Sequence, residues 1–306
     1  MDKKAFVFPG QASQYVGMGK DFYDNSPRAR ELYDQAARYF DFDLIGLSFN
    51  GPQAELTQTR VTQPAIFVLS LIIFEELQAR QYLPDMVAGH SLGEYSALVA
   101  AGVMSFEDGL RLVKIRAEEM QRASELNRGT MAAIIGMEQD VIAQVISQSG
   151  VAGICQIANI NAPSQIVISG DVYKVQSVMA DLKSAGAKMA VELAVGGAFH
   201  SSLMEPARAQ LQVALENTNF NVPRFPVYCN VTGKATRDPQ EIRSNLIQQL
   251  TAPVLWVQSV QNMINDGAMT FVEVGPGKVL QNLIKRIAPQ VTISGVSSFG
   301  DLENLP

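Results

Sequence analysis

A serine in a glycine-flanked turn is the first group that could do covalent chemistry. The segment Gly89-His90-Ser91-Leu92-Gly93 fits G-x-S-x-G, the nucleophile elbow, in which a tight strand-to-helix turn exposes the serine hydroxyl. A short apolar stretch precedes it and a stretch of mostly small apolar residues follows it. A helix that begins here directs free backbone N–H groups at a developing oxyanion. The pattern therefore predicts a serine nucleophile.

The same residues also have a purely structural interpretation. Ser91 and Glu94 fit the S-x-x-E capping box, which needs no catalysis. Because a five-residue match often occurs by chance, the elbow depends on the strand and helix around it.

A serine nucleophile needs a base, and the chain contains only two histidines. His90 adjoins Ser91, so its side chain should diverge from that of the serine at the turn. His200 remains, although a lone histidine near glycines is more often structural or exposed. About a third of the chain follows His200, which departs from ordinary α/β-hydrolases, where the histidine comes late and follows an acidic residue. A backbone carbonyl is therefore a candidate to orient the imidazole.

Arg116 is a candidate ligand for a substrate carboxylate. Four charged residues share one polar arc of the helix predicted over 105–125, at ~100° per residue: Arg111, Lys114, Glu118 and Arg122. Arg116 lies off that arc, on the inward side of the helix. One interpretation is an arginine that snorkels at the edge of the apolar stripe. The other is a bidentate clamp on a carboxylate.

The elements around these residues alternate between strand and helix. We predict strands over 4–8, 86–88, 225–231 and 270–274, and helices over 26–39, 65–80, 92–101, 105–125, 239–250, 255–265 and 277–287. Pro64 is expected at the start of the second helix, as proline at a first turn is. Strands separated by helices favour a parallel sheet covered on both faces. The predicted fold class is α/β, with a large domain built from residues 1–126 and 198–306.

Residues 127–197 differ in pattern from the rest of the chain. We predict strands over 130–137, 154–161, 165–169 and 188–193, and helices over 139–149 and 172–185. That β-α-β-β-α-β order is the ferredoxin-like arrangement. The segment is therefore predicted to be a small domain inserted into the larger one, with His200 just after it.

Composition argues against several other functions. A net charge of −6 makes nucleic-acid binding through a basic surface unexpected. The longest apolar run, Ala65–Phe74, is too short to span a bilayer, and the first residues lack the apolar stretch of a signal peptide. Two cysteines and two histidines, without CxxC or HExxH, give little support to a metal site. We expect a cytoplasmic protein that binds no metal, nucleic acid or membrane.

Further motifs occur in one order along the chain: Phe8-Pro9-Gly10-Gln11 with Ser13-Gln14, Thr62-Gln63-Pro64-Ala65, Gly89-His90-Ser91-Leu92-Gly93-Glu94, Arg116, Ala198-Phe199-His200-Ser201, Gln249 and Glu273-Val274-Gly275-Pro276-Gly277. In these motifs the chain resembles, nearly end to end, malonyl-CoA:acyl carrier protein transacylases and the acyltransferase domains of polyketide and fatty acid synthases. The resemblance implies a large α/β-hydrolase-like domain with an inserted ferredoxin-like domain.

The resemblance also implies catalytic roles. Ser91 is expected to be the nucleophile and His200 its base. The backbone N–H groups of Gln11 and Leu92 resemble the oxyanion hole of the family. The backbone carbonyl of Gln249 resembles the group that orients the histidine in place of a triad carboxylate.

For substrate choice, the resemblance implies that Arg116 grips the malonyl carboxylate. Phe199 precedes the base, where phenylalanine in the family goes with unbranched malonyl, although it could equally be a core residue. Ala12 stands where the family usually has glycine, and its methyl group could alter the oxyanion loop or the room for the acyl chain. Asn159 and Asn161 are candidates to line the cleft, although asparagines at strand ends usually form turns.

The implied reaction moves a malonyl group from malonyl-CoA to the phosphopantetheine thiol of an acyl carrier protein, by a ping-pong mechanism through an ester on Ser91, for fatty acid or polyketide synthesis. No cofactor of the enzyme is expected, because coenzyme A is part of the substrate and phosphopantetheine belongs to the carrier protein. One alternative is an editing acyl hydrolase on the same fold, against which Arg116 argues. The other is a non-catalytic docking protein, against which the intact Ser91, His200 and Arg116 argue.

Overall fold

The computed structural model describes residues 2–305, in which ten strands form two sheets. The strands are β1 Lys3–Phe8, β2 Met86–Gly89, β3 Gly129–Ile135, β4 Cys155–Ala162, β5 Gln165–Asp171, β6 Met189–Glu192, β7 Val227–Tyr228, β8 Ala235–Thr236, β9 Ala268–Val274 and β10 Thr292–Val296. The α-helices are α1 Lys20–Asn25, α2 Pro27–Ala37, α3 Leu44–Asn50, α4 Gln53–Leu56, α5 Thr59–Ala79, α6 Gly93–Ala100, α7 Phe106–Leu126, α8 Gln139–Gln148, α9 Val172–Ser184, α10 Glu205–Glu216, α11 Pro239–Gln249, α12 Trp256–Asn265 and α13 Val279–Ile287. Short 3₁₀ helices cover Ser202–Met204 and Phe299–Asn304.

The larger sheet has the strand order β10-β9-β1-β2-β7-β8. All of its pairs are parallel except β7 with β8, which are antiparallel at one edge. The central strand β1 is buried along residues 5–8, as a strand covered by helices on both faces is. Because β1 and β2 precede the second sheet in the chain and β7 to β10 follow it, the large sheet comes from both ends of the sequence. The predicted α/β fold class is confirmed.

The smaller sheet has the order β4-β5-β3-β6, with every pair antiparallel. Together with α8 and α9 this is the ferredoxin-like order that the sequence predicts. The two helices and the buried face of the sheet share a separate apolar cluster that includes Ile134, Ile168 and Val175. All six elements fall within the predicted range 127–197, whose exact boundaries stay a prediction.

The helix α5 forms the centre of the large apolar core. By length and composition it could cross a membrane, with a mean hydropathy of 1.3, but 83% of that window is buried inside the protein. A single such helix is weak evidence for a membrane span, because the core helix of a water-soluble protein has the same properties. The prediction that Pro64 opens this helix was wrong, since α5 begins at Thr59. Burial of Val61 and Thr62 stabilises the first turn even though proline leaves the carbonyl of Arg60 without its usual partner.

Several other elements differ from the sequence prediction. The strand predicted over 225–231 is only Val227–Tyr228, because the chain then turns, with Gly233 N–H donating to the Cys229 carbonyl at 2.8 Å. Six elements of the large domain were not predicted: helices α1, α3, α4 and α10 and strands β8 and β10.

Candidate active site

Ser91 lies at the turn between β2 and α6, with a φ of +53°. Two glycines allow the turn to close. A Cβ atom on Gly89 would lie 1.9 Å from the carbonyl of Gly93, and one on Gly93 would lie 2.0 Å from the carbonyl oxygen of Phe8. The predicted elbow geometry is therefore present, and the glycines are required by close packing of neighbouring backbone.

The serine contacts the histidine that the sequence selected. Ser91 Oγ lies 2.9 Å from His200 Nε2, and His200 Nδ1 lies 2.8 Å from the backbone carbonyl oxygen of Gln249. A carbonyl oxygen can only accept, so Nδ1 carries the proton and Nε2 is free to accept the serine proton. The expected orienting carbonyl thus lies at hydrogen-bonding distance.

The imidazole of His200 is held in its neutral form. Burial, and after it the positive charge of Arg116, lower its pKa to about 3. Both causes penalise the imidazolium. At neutral pH the ring can therefore act as a proton acceptor.

Arg116 is buried beside the serine, with 1% of its surface exposed. Its guanidinium donates to Gln63 Oε1 at 2.6 Å, to Ser91 Oγ at 2.9 Å and to Gln249 Oε1 at 3.1 Å. Within residues 2–305 no carboxylate oxygen lies within 4.0 Å of it, and its Nε–H has no partner. Burial lowers the pKa of the guanidinium. A buried charge without a counterion is costly, so a substrate carboxylate would stabilise it.

Gln11 and Leu92 lie on the wall of the cleft at Ser91. In the described part of the chain, neither backbone N–H donates a hydrogen bond to another protein group. The N–H of Ser91 itself is engaged by Asn230 Oδ1 at 2.7 Å. The two amides expected to form the oxyanion hole are thus free to donate hydrogen bonds to an oxyanion.

The interpretation of Ser91 and Glu94 as a capping box was wrong. No side chain caps α6, and Glu94 is buried. Its carboxylate instead accepts from Asn230 N–H at 3.0 Å and from Gln249 Nε2 at 2.8 Å. Burial raises the pKa of this carboxyl to about 7.

His90 points away from the serine, as its place in the turn predicts. Its Nε2 lies 2.8 Å from Asn161 Oδ1, and its ring packs edge-on against Trp256. Burial lowers the pKa of His90. Asn159 and Asn161 both line the cleft.

The cleft has a volume of about 200 Å³ and is lined by both parts of the molecule. The loop after β1 contributes Gln11 and Ala12, and the small sheet contributes Met131 and Val167. Phe199 lines it as well and is 6% exposed. The structure therefore brings the predicted site residues to one cleft, except Gln249, which lies behind its wall and contacts His200. In the chain from residue 2 to residue 305, no cluster of three or more His, Cys, Asp or Glu side chains is arranged to hold a metal ion.

Two residues that contact this site, Asn230 and Gln63, were not predicted from the sequence. Asn230 follows β7, the strand next to β2, so it lies at the sheet edge where ligands of α/β proteins bind. No sequence signal marked that placement, because the strand predicted over 225–231 includes Asn230. Gln63 belongs to a motif of the resemblance but gave no sign of its contact with Arg116.

A neutral histidine on a serine hydroxyl, at the carboxyl edge of a parallel sheet, defines a serine acyltransferase or acyl hydrolase of the α/β class. Comparison with known proteins narrows the class. The chain belongs to the acyltransferase family, because the family model described as an acyl transferase domain matches residues 5–300.

Three similar proteins have names that describe malonyl transfer. The malonyl CoA-acyl carrier protein transacylase of Bacillus subtilis is 42% identical over 304 residues, which cover 99% of this chain and 96% of that protein. The crystal structure of an acyl carrier protein S-malonyltransferase from Vibrio cholerae is 39% identical, covers 99% of this chain and 100% of its own, and superposes with a TM-score of 0.95. A malonyl-transacylase solved in complex with its type II PKS acyl-carrier protein is 38% identical over 99% of this chain and 98% of its own, also with a TM-score of 0.95.

Proposed function

We propose that this chain transfers a malonyl group from malonyl-CoA to the phosphopantetheine thiol of an acyl carrier protein, through an ester on Ser91. The observation that carries this function is the buried guanidinium of Arg116, which lies 2.9 Å from the nucleophile without a carboxylate partner in the described residues. The relatives that match the chain nearly end to end are named for this same transfer.

In the first half-reaction, His200 Nε2 takes the proton of the Ser91 hydroxyl while Oγ attacks the thioester carbonyl. The N–H groups of Gln11 and Leu92 hold the oxyanion. When the carbon–sulfur bond breaks, the imidazolium returns its proton to the departing sulfur. Coenzyme A leaves as the free thiol, and the malonyl ester stays on Ser91.

In the second half-reaction, the carrier-protein thiol gives its proton to His200 and its sulfur attacks the ester. The carbon–oxygen bond then breaks, and Ser91 Oγ recovers the proton from the imidazolium. Water competes with the thiol at this stage. Apolar side chains on the cleft wall, such as Met120, Met131 and Leu193, disfavour water beside the ester.

Arg116 gives the reaction its selectivity for a carboxylated acyl group. A carboxylate that reaches the guanidinium gains charge-assisted hydrogen bonds in a site already stripped of water. An acetyl group gains nothing from the same contact. This difference disfavours an editing acyl hydrolase, for which a neutral residue would suit an uncharged acyl chain.

The absence of an enzyme cofactor and a cytoplasmic location are part of this proposal. The mechanism above uses side chains and backbone groups of the chain alone, with coenzyme A arriving and leaving as part of the substrate.

The test replaces Arg116 with alanine and measures kcat/KM for malonyl-CoA and acetyl-CoA with a carrier protein as acceptor. A charge-assisted hydrogen bond is worth about 1.5–3 kcal/mol, so malonyl transfer should fall roughly ten- to a hundredfold, and acetyl transfer much less. Arg111→Ala is the matched control, because Arg111 lies on the same helix with its side chain half exposed. An equal loss with both thioesters would show that Arg116 is only structural.

A further inference from the structure

The backbone of Ser91 needs a restraint that the glycines of the elbow do not supply. A φ of +53° is in the left-handed region, which costs a non-glycine residue about 1–2 kcal/mol. Such a conformation persists only where the surroundings fix it. Gly89 and Gly93 permit close packing, but neither bonds to the Ser91 amide.

The restraint comes from a residue outside the elbow. Asn230 is fully buried in the turn after β7. Its side-chain Oδ1 accepts from Ser91 N–H at 2.7 Å, and its Nδ2 donates to the Gly89 carbonyl at 2.6 Å. One planar carboxamide therefore holds the elbow on both sides of His90.

These two hydrogen bonds take the place of one pair of backbone hydrogen bonds between the parallel strands β2 and β7. Strands β2 and β7 pair with Val87 opposite Val227 and Ala88 opposite Tyr228, so the same register places Asn230 opposite His90. A backbone residue there would donate to the carbonyl before His90 and accept from the amide after it. The Asn230 backbone cannot, because its N–H donates to Glu94 and its carbonyl accepts from Leu255 N–H. The side-chain amide makes both bonds instead.

The same network also holds the base. Gln249 Nε2 donates to Glu94 Oε2 at 2.8 Å and lies 3.3 Å from Asn230 Oδ1. The backbone carbonyl of Gln249 in turn accepts from His200. Asn230 and His200 are thereby fixed relative to each other through one glutamine.

We propose that Asn230 is a positioning residue for the nucleophile: its carboxamide takes the place of a strand rung and holds Ser91 in the conformation that attacks the thioester. Its hydrogen bond also occupies the N–H of Ser91, so the N–H groups of Gln11 and Leu92 remain to bind the oxyanion. Because Asn230 serves the same serine, the inference rests on the proposed function.

The test compares Asn230→Ala with Asn245→Ala, a second buried asparagine, which lies on α11 and has no hydrogen bond to the elbow. Single-turnover acylation is measured with malonyl-CoA and with acetyl-CoA, and Tm is recorded for each variant. A small misplacement of a reacting atom costs about 10²-fold, so Asn230→Ala should lose about that factor with both thioesters. KM should change little. Asn245→Ala should acylate within a fewfold of wild type at a comparable Tm.

A second variant keeps the test decisive if Asn230→Ala does not fold. In Asn230→Asp, a protonated carboxyl can donate to Gly89 and accept from Ser91, whereas the ionised carboxylate repels the Gly89 carbonyl. The charged and titratable groups around this position are Glu94, Arg116, His200 and Cys229. Burial and the neighbouring Glu94 both raise the pKa of a carboxyl at this position. The protonated form therefore becomes populated as pH falls.

The acylation rate of Asn230→Asp, divided by that of wild type at the same pH, should therefore rise roughly tenfold from pH 8 to pH 6. Glu94, whose pKa is raised to about 7, titrates over this range in both proteins, so the ratio removes its effect. A ratio that is flat or falls over this range would overturn the inference, as would wild-type acylation by Asn230→Ala or a loss no larger than that of Asn245→Ala. If wild type takes up acetyl but not malonyl, the proposed function fails and the positioning role can still be measured.

Discussion

At the scale of single residues, the buried positive charge of Arg116 affects both the nucleophile and its base. Arg116 donates to Ser91 Oγ and lowers the pKa of His200. The serine proton therefore meets a neutral imidazole, and the malonyl carboxylate meets a guanidinium already in place. The charge that we propose selects the substrate also helps to keep the imidazole of His200 neutral.

His200→Ala removes the group that accepts the serine proton. General-base loss typically costs 10²–10⁴-fold, so acylation by malonyl-CoA should slow by about that factor. The side chain lies at the cleft wall, and we expect a folded protein, checked by Tm and circular dichroism. An unchanged acylation rate at neutral pH would exclude His200 as the base.

The pH dependence of kcat/KM reports the protonation of His200 in the free enzyme. Because its pKa is lowered to about 3, the rate should stay level well below the ordinary histidine range near 6.5. Arg116→Ala removes one of the two main causes of the lowered pKa of His200. That pKa should therefore rise, and the acid limb of the rate profile should move to higher pH. Profiles of both proteins with acetyl-CoA, which does not use Arg116, would show it. Coincident acid limbs would contradict the coupling.

The residues of the candidate site differ in how strongly the sequence pointed to each of them. The Ser91 elbow has a local pattern, and His200 followed from the scarcity of histidines. Gln11 and Gln249 are expected to act through backbone groups, which leave no side-chain signature, so only the resemblance pointed to them. Asn230 was not predicted because its contact with the elbow depends on the register of two strands that are far apart in the sequence.

At the scale of elements, the loop after β1 carries a strained residue. Ala12 has a φ of +82°, at the position where the sequence departs from the glycine expected of the family. Its strain of about 1–2 kcal/mol exceeds the 0.5–1 kcal/mol that glycine costs through its freedom in the unfolded chain. The loop therefore holds a conformation that glycine would adopt more readily.

Ala12→Gly should consequently raise the free energy of unfolding by about 0.5–1 kcal/mol, measured by urea denaturation. The control is Ala152→Gly, in an exposed loop where φ is not positive, and it should be neutral or destabilising. A loss of stability in Ala12→Gly would show that the surrounding loop relieves the strain in another way.

Element prediction succeeded where the apolar period was regular and failed where tertiary contacts decided. The alternation of strands and helices fixed the class of fold, and helices such as α7 were placed within a residue or two. Strand β7 ended early because residues beyond Tyr228 turn to serve the elbow. Helix α5 began upstream of Pro64 because its first turn is buried.

At the scale of the whole molecule, buried titratable groups at the cleft tie stability to pH. The pKa of His200 is about 3 in the folded protein and about 6.5 in the unfolded chain. Between these values the unfolded chain binds a proton that the folded protein does not. Stability from this group is complete above pH 6.5 and decreases as pH falls below it.

His200→Gln should remove this part of the pH dependence. Between pH 7 and pH 5, wild type should lose about 2 kcal/mol more unfolding free energy than the variant, since each pKa unit is worth about 1.4 kcal/mol. Urea denaturation at the two pH values measures the difference, and the contribution of His90 is common to both proteins. Parallel losses would contradict the burial of a neutral His200.

The two-sheet architecture was predictable because each sheet has its own apolar pattern and chain segment. The way the sheets meet was not. Met131 and Val167 of the small sheet reach the cleft of the large one, and no local pattern indicates such a contact. The cleft is a property of packing between the two parts.

The proposed function depends on Ser91 carrying the malonyl group from one thiol to another. The most direct measurement is the intact mass of the protein after mixing with malonyl-CoA, with the adduct mapped by peptide digestion and then exposed to holo acyl carrier protein. We predict one malonyl adduct on Ser91, its discharge as malonyl-carrier protein, and no adduct on Ser91→Ala. An adduct on Ser91→Ala at the wild-type rate, or discharge to free malonate with no malonyl-carrier protein formed, would contradict the account.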